Sequence, residues 1–166
     1  MKPFHVIPFI IVWFCCCSTD KENTIAIAMT KEMAMYQQNT GLAEVTNVTV
    51  SGGENSYTLS VTLKSPDTGC NQYADWWEVF DLDGNLIYRR ILTHSHTNEQ
   101  PFTRTGGPVE IAADLEIYVR VHMNNSGYSN KVFRGSVTKG FLAEDLDIEF
   151  AKDLETEEPL PTGCDF

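Results

Sequence analysis

Apolar and polar residues alternate with a period of two along much of the chain after Glu44, and this pattern predicts β-strands. The clearest example runs from Leu115 to Met123, where every second residue is Leu, Ile, Val or Met. Because residues i and i+2 share one face of a strand, such a segment is buried on one side. About seven short strands with turn residues every eight to twelve positions predict an all-β, antiparallel Greek-key β-sandwich over residues 44–154.

The strongest hairpin signal lies between Cys70 and His96. An Asp83-Gly84-Asn85 turn separates two runs rich in aromatic and β-branched residues, and Asp-Gly favours the positive φ of a tight connection. Within the first run, Trp76 and Trp77 are neighbours and must face opposite sides of one strand. The sequence therefore predicts that both faces of this hairpin are at least partly covered.

The segments on either side of the predicted sandwich have different patterns. Residues 24–39 carry Ile25, Met29, Met33 and Tyr36 at helical spacing, which predicts a short helix, with an extended linker as the alternative. We interpret the methionines as packing residues. At the other end, Asp145 to Phe150 alternates and predicts an acidic edge strand, followed by an acidic tail over residues 155–166.

Two stretches carry a resemblance to a known fold. Tyr57-x-Leu59-x-Val61-x-Leu63-x-x-Pro66 resembles the second strand of fibronectin type III and immunoglobulin-like domains. Leu115-x-Ile117-x-Val119-x-Val121 followed by Asn125-x-Gly127-x-Ser129 resembles their sixth strand and the turn after it. The resemblance covers roughly residues 44–140 and implies an immunoglobulin-like sandwich, in which loops gathered at one pole bind ligands.

Residues 1–16 have the character of an export signal. A basic start is followed by the apolar run Val6 to Phe14 and by Cys15-Cys16-Cys17, and that run is too short to anchor a mature protein across a bilayer. The arrangement resembles a bacterial lipoprotein signal, with Cys17 as the acylated first residue of the mature chain. An ordinary secretory signal is the alternative.

Residues 17–43 then form a leash and the possible helix. The leash, Ser18 to Asn23, is similar to the short acidic sorting segments of surface-exposed lipoproteins in the Bacteroidetes. The sequence thus predicts a chain held to the membrane by an N-terminal lipid, at the bacterial cell envelope, in the outer membrane or at the cell surface.

Cys70 and Cys164 are the cysteines that remain beyond the N-terminal cluster. In an oxidising compartment two such cysteines predict one disulfide. The alternative is two separate thiols, because their spacing alone does not show that the side chains meet.

The chain is strongly acidic, with 12 basic and 23 acidic residues and a formal net charge of −11. Between Glu144 and Asp165 there are nine acidic residues and one lysine. Nucleic acids and anionic lipids bind proteins through Lys and Arg side chains. The negative charge of this chain therefore argues against nucleic acid as a partner and against electrostatic docking to lipid.

The predicted topology gathers three connections at one pole: residues 67–75, 93–102 and 124–130. His94 and His96 share a side of an extended backbone, and His122 with Glu99 or Asp75 could complete a Zn or Cu site. The alternative is that the histidines are solvated or bonded locally.

A second candidate site is an aromatic surface on one sheet. Trp76 or Trp77, Tyr88, Tyr118 and Arg120 could share its outer face and suit a carbohydrate or a protein ligand. The alternative is that one tryptophan fills the core while the helix or the acidic tail covers the other.

No nucleophile elbow, phosphate loop or paired-cysteine zinc motif is present in the sequence. Whether the chain is an enzyme stays open, and we lean towards a non-catalytic protein. The leading hypothesis is a lipid-anchored envelope module that binds a ligand not identified by sequence. The alternative is a small metal-binding protein or metal-dependent enzyme that uses His94, His96 and His122.

Overall fold

The computed structural model describes residues 19–38 and 41–165. The predicted signal (residues 1–16) and the predicted lipidation site Cys17 lie outside the described residues. The chain divides into two compact units, residues 1–36 and 37–166, and each is described by itself.

The described residues of the N-terminal unit belong to the helix α1 (Thr19–Gln38). The predicted helix is confirmed, although it begins five residues before Thr24. Its side chains Ile25, Ile27, Met29 and Met33 are each about 60% exposed, so the methionines are not packed within this helical unit. Within the described part of the chain, no helix has the length and apolar character needed to cross a membrane.

The second unit is built from two antiparallel sheets that pack as a β-sandwich, which confirms the predicted fold class. The smaller sheet has the strand order β1-β2-β5, and the larger has the order β4-β3-β6-β8-β9, with β7 paired to β6. The strands are β1 (Glu44–Gly53), β2 (Ser56–Lys64), β3 (Ala74–Asp81), β4 (Leu86–Ile91), β5 (Phe102–Val109), β6 (Ile117–Met123), β7 (Gly127–Tyr128), β8 (Lys131–Ser136) and β9 (Gly140–Asp145).

The core lies between the sheets and follows the alternation of the sequence. Leu59, Val61 and Leu63 of β2 are fully buried, as are Trp77 and Val79 of β3 in the opposite sheet. Removing such side chains from water is the main stabilising contribution to the fold, at roughly 1.5–3 kcal/mol for each large side chain.

Gly106 is the place where β5 comes closest to the larger sheet. A Cβ atom at this position would lie 2.8 Å from Cζ2 of Trp77 and 2.6 Å from the hydroxyl oxygen of Tyr88. Only a residue without a side chain fits here, because packed protein interiors leave no room for an added methyl group.

The outer face of the larger sheet is covered by the chain's own C-terminal residues. Phe80, Tyr118, Val132 and Leu154 form a second buried cluster there, with Phe150 packed against it. We call residues 150–159 the C-terminal strap; it contains the short 3-10 helix Lys152–Thr156.

The predicted strand from Asp145 to Phe150 is wrong. The last strand is Gly140–Asp145, and the backbone turns after it. Within the segment predicted as an acidic tail, the carbonyls of Glu157 and Pro159 accept hydrogen bonds from Arg89. The acidic side chains of this segment did not indicate these contacts, because the segment is bound through its backbone carbonyl groups.

Candidate functional site: an acidic cleft at the loop pole

The predicted gathering of three connections at one pole is confirmed by hydrogen bonds between them. Asp67 accepts bonds from the backbone N–H of His96 at 2.7 Å and from that of Ala74 at 3.0 Å. Asn124 donates its backbone N–H to the carbonyl of Tyr73 at 3.1 Å and accepts the Tyr73 N–H at 3.0 Å. We call this region the loop pole.

The disulfide between Cys70 and Cys164 is present, which confirms the predicted pairing. The two Cα atoms lie 5.6 Å apart, although 94 positions separate the residues in sequence. The backbone N–H of Asp165 also donates to the carbonyl of Thr93 at 2.6 Å. The C-terminus therefore lies at the loop pole, as the disulfide hypothesis required.

An open cleft of about 480 Å³ lies beside this disulfide. Its walls come from the loop pole on one side and from residues 160–164 on the other. The residues that line it are Cys70, Tyr73, Asp75, Trp76, Asn124, Glu155, Leu160, Pro161, Thr162, Gly163 and Cys164. This lining contains the two carboxylates of Asp75 and Glu155 and no lysine or arginine.

The pKa of Tyr73, which lines the cleft, is shifted by these surroundings. Tyr73 is 4% exposed, and its pKa is raised above 10.0 by burial and then by the nearby carboxylates of Asp75, Asp165 and Asp67. Each cause penalises a phenolate, since burial and negative neighbours both disfavour an additional negative charge. Tyr73 is therefore a neutral wall of the cleft.

A histidine stands behind the two carboxylates. A hydrogen bond of 2.7 Å joins Nδ1 of His122 to Oδ1 of Asp75, and Nε2 of His122 lies 3.9 Å from Oε1 of Glu155. The imidazole stacks on Trp76, with ring centroids 3.6 Å apart and planes 7° from parallel. Asp75 and His122 come from the neighbouring strands β3 and β6, whereas Glu155 comes from the strap.

The predicted aromatic binding surface is wrong. Trp77 is fully buried in the core and contacts Tyr88, which is half-buried. Trp76 is 3% exposed because His122 covers it and the guanidinium of Arg89 lies 4.6 Å from its ring centroid. Arg120 is also buried. The alternative is correct for Trp77, which fills the core, whereas Trp76 is covered by His122 and Arg89.

A buried ionic group that the sequence reading missed holds the strap in place. Glu78 is fully buried on the outer face of β3, between Arg89 of β4 and Arg120 of β6. Arg120 donates Nε to Glu78 at 2.7 Å, and Arg89 donates Nε at 2.9 Å and Nη2 at 2.5 Å. We call Arg89, Glu78 and Arg120 the clamp.

The remaining N–H groups of the clamp bind the backbone of the strap. Arg120 donates to the carbonyls of Phe150 at 3.0 Å and Ala151 at 2.6 Å. Arg89 donates to the carbonyls of Leu154, Glu157 and Pro159. A lone glutamate between Trp77 and Val79 in an apolar strand was the sequence signal for this group, because buried charges require partners.

The predicted metal ligands are not brought together. His94 and His96 are adjacent, with ring centroids 4.5 Å apart, but His96 is buried and stacks on Phe102 at 3.9 Å. Glu99 binds Arg104 at 2.9 Å, and His122 is occupied by Asp75. Among the described residues, no three His, Cys, Asp or Glu side chains form a group that could hold a metal ion. The structure therefore gives the Zn or Cu hypothesis no support.

One curated protein is similar to part of this chain. A protein of Halomicrobium mukohataei named "Putative lipoprotein" is 38% identical over 91 residues, which is 54% of this chain and 44% of that protein. The chain thus spans less than half the length of the relative it matches. No protein-family model matches the chain, and no solved structure matches it significantly.

Proposed function

We propose that this protein is a lipid-anchored binding module of the cell envelope. The observation that carries the proposal is the Cys70–Cys164 disulfide, which closes the fold far downstream of an apolar signal and a cysteine cluster. Disulfides persist outside the reducing cytosol, so the pairing supports an exported chain. The name of the relative supports lipid attachment, and the strand orders β1-β2-β5 and β4-β3-β6-β8 agree with the resemblance to immunoglobulin-like modules.

The cleft is the binding surface in this proposal, and its ligand is a cationic group such as a lysine or arginine side chain of a partner protein. Glu155 presents a carboxylate that is 31% exposed, and the buried carboxylate of Asp75 lies in the same lining. A carboxylate forms strong, charge-assisted hydrogen bonds with an ammonium or guanidinium group. Carbohydrate stacking is disfavoured because Trp76 is 3% exposed, with His122 stacked on its ring and Arg89 above it.

The anchor is tested by fractionating cells that express the full chain. The wild-type protein is expected in the membrane fraction, and Cys17→Ser is expected to release it. Cys16→Ser serves as the matched control and should leave the protein bound. A mature mass without acyl chains, or a Cys17→Ser protein that stays membrane-bound, would contradict the anchor.

The cleft is tested by calorimetric titration of the purified protein with an oligolysine peptide, using an oligoglutamate peptide as a negative probe. Glu155→Gln should weaken oligolysine binding by about tenfold, equivalent to roughly 1.4 kcal/mol. Asp114→Asn, which removes an exposed carboxylate outside the cleft, should have a much smaller effect. Equal losses in the two variants would show that the peptide responds to net charge rather than to the cleft.

A further inference from the structure

We propose that the Cys70–Cys164 disulfide is a redox latch that opens the cleft while the sandwich stays folded. The inference rests on the proposed function, since an exported chain meets envelope proteins that exchange thiols and disulfides. Three observations support it: the exposure of the bond, the different ways in which its two cysteines are held, and the position of residues 160–164 in the lining of the cleft.

Both cysteines are half-buried, and both line the open cleft, so a thiol reagent can approach the bond. Accessibility is one property that separates labile disulfides from inert structural ones, because exchange needs direct attack of a thiolate on a sulfur atom. Disulfides enclosed in a core lack such a path. The position of this bond at the rim of a cleft is therefore suited to reversible exchange.

Cys70 is fixed in the fold. Its carbonyl accepts the side-chain N–H of Asn124 at 2.9 Å. On either side of it, Gln72 donates its backbone N–H to the carbonyl of Gly69 at 3.0 Å, and Thr68 donates to that of Gln72 at 2.9 Å. This cysteine keeps its position whether or not the disulfide is intact.

Cys164 is held much less firmly. Apart from the disulfide, residues 160–165 make one backbone hydrogen bond to a distant part of the described chain, from Asp165 to Thr93. The strap just before them has five carbonyls bound by the clamp. Breaking the disulfide should therefore free residues 160–165 and leave residues 150–159 in place.

Release of these residues would change what the cleft presents. Tyr73, Asp75 and Trp76 line the cleft, yet each is at most 5% exposed. Leu160, Pro161 and Thr162 belong to the wall beside them. With that wall removed, the cleft opens on the side of residues 160–162, next to Tyr73, Asp75 and Trp76.

The exchange is a two-electron step with a dithiol protein as reductant. A thiolate of the reductant attacks one sulfur of the Cys70–Cys164 bond, forming a mixed disulfide and releasing the other cysteine as a thiolate. The second thiol of the reductant then breaks the mixed disulfide. The reductant ends as a disulfide, and the chain gains two electrons and two protons, which leaves both cysteines as thiols.

Hydrogen exchange of the purified full chain, followed by mass spectrometry with and without a dithiol reductant, tests the latch. Reduction should accelerate exchange of the Asp165 amide, which donates to the carbonyl of Thr93, by about tenfold or more and change residues 150–159 by less than about twofold. The Cys70→Ser, Cys164→Ser double variant should exchange like the reduced wild type, and its exchange rates should not change when the reductant is added. Cys164→Ser alone provides a second unlatched form.

Three outcomes would overturn the latch: unchanged exchange of the Asp165 amide, release of the whole segment 150–165, or loss of protection in the β-strands. The last two would make the disulfide a structural staple. None of these readouts depends on lipid attachment or on ligand binding. A chain that fails the fractionation or titration experiments can therefore still pass or fail this one.

Discussion

Acidification should destabilise this protein through one buried side chain, His96. The residue is 2% exposed, neither ring nitrogen has a hydrogen-bond partner, and the ring stacks on Phe102. Burial lowers the pKa of His96 from 6.5 to about 4, aided by the positive charges of Arg104 and His94 and opposed by Asp67 and Glu99. The folded protein therefore holds this imidazole neutral.

The sign and size of the effect follow from linkage. Between pH 6.5 and about 4 the unfolded chain binds a proton at His96 that the folded chain does not, so stability falls as pH falls through this window. Relative to pH 7, the loss is about 2 kcal/mol at pH 5 and approaches about 3 kcal/mol at pH 4. Measurements at pH 5 and above limit the contribution of carboxylates, which titrate mainly below that value.

Urea unfolding at pH 7, 6 and 5 measures this slope in the wild type and in His96→Phe. The variant keeps an aromatic ring against Phe102 and has no proton to gain, so about 2 kcal/mol of the pH dependence should disappear. His96→Leu serves if phenylalanine is too large, and His94→Phe is the matched control because His94 is exposed. An unchanged slope in both His96 variants would refute the reasoning.

Three further predictions concern packing and cross-links, each measured by urea denaturation. Glu78→Gln removes the carboxylate between two buried arginines and should lower the free energy of unfolding by about 3–5 kcal/mol. A loss below about 1 kcal/mol would contradict the role of the clamp. Gly106→Ala should cost about 1–3 kcal/mol through its clash with Trp77, whereas Gly53→Ala, with no neighbouring atom within 4 Å, should show no such penalty. Reducing the disulfide should lower the free energy of unfolding by less than about 3 kcal/mol, below the roughly 4–5 kcal/mol of the chain-entropy model. The loss is smaller because a released C-terminus lowers the effective concentration of the two thiols in the folded protein. A loss of the full value of about 4–5 kcal/mol would favour a structural staple.

The sandwich could be predicted from sequence because its strands obey simple local rules. Leu59, Val61 and Leu63 face the core at every second position, and the Asp-Gly turn joins β3 to β4 as an antiparallel pair. Neighbouring Trp76 and Trp77 correctly indicated a strand covered on both sides. Each of these inferences needs only the period of a strand and the conformation of a turn.

The strap over the outer face of the larger sheet could not be predicted from sequence. Its contacts with the clamp are made by backbone groups and do not depend on which side chains the strap carries. The clamp binds carbonyl groups, which every residue carries, so the sequence of residues 150–159 holds no pattern that reveals them. The buried Leu154 is a single apolar residue among acidic neighbours. The metal hypothesis rested on residue spacing alone. Spacing correctly placed His94 and His96 side by side, but it could not show that His96 is buried or that His122 is bonded to Asp75.

The clamp is also what brings the cleft's carboxylates together. Asp75 belongs to a strand, but Glu155 follows directly after Leu154, whose carbonyl Arg89 holds and whose side chain is buried against the sheet. Glu155 can therefore lie near His122 and Asp75 only while the strap is docked. Glu78 acts on the cleft through this chain of contacts, as a positioning residue that need not touch the ligand. The clamp and the disulfide thus have separate roles: the clamp fixes one acidic wall, and the disulfide holds the wall that can move.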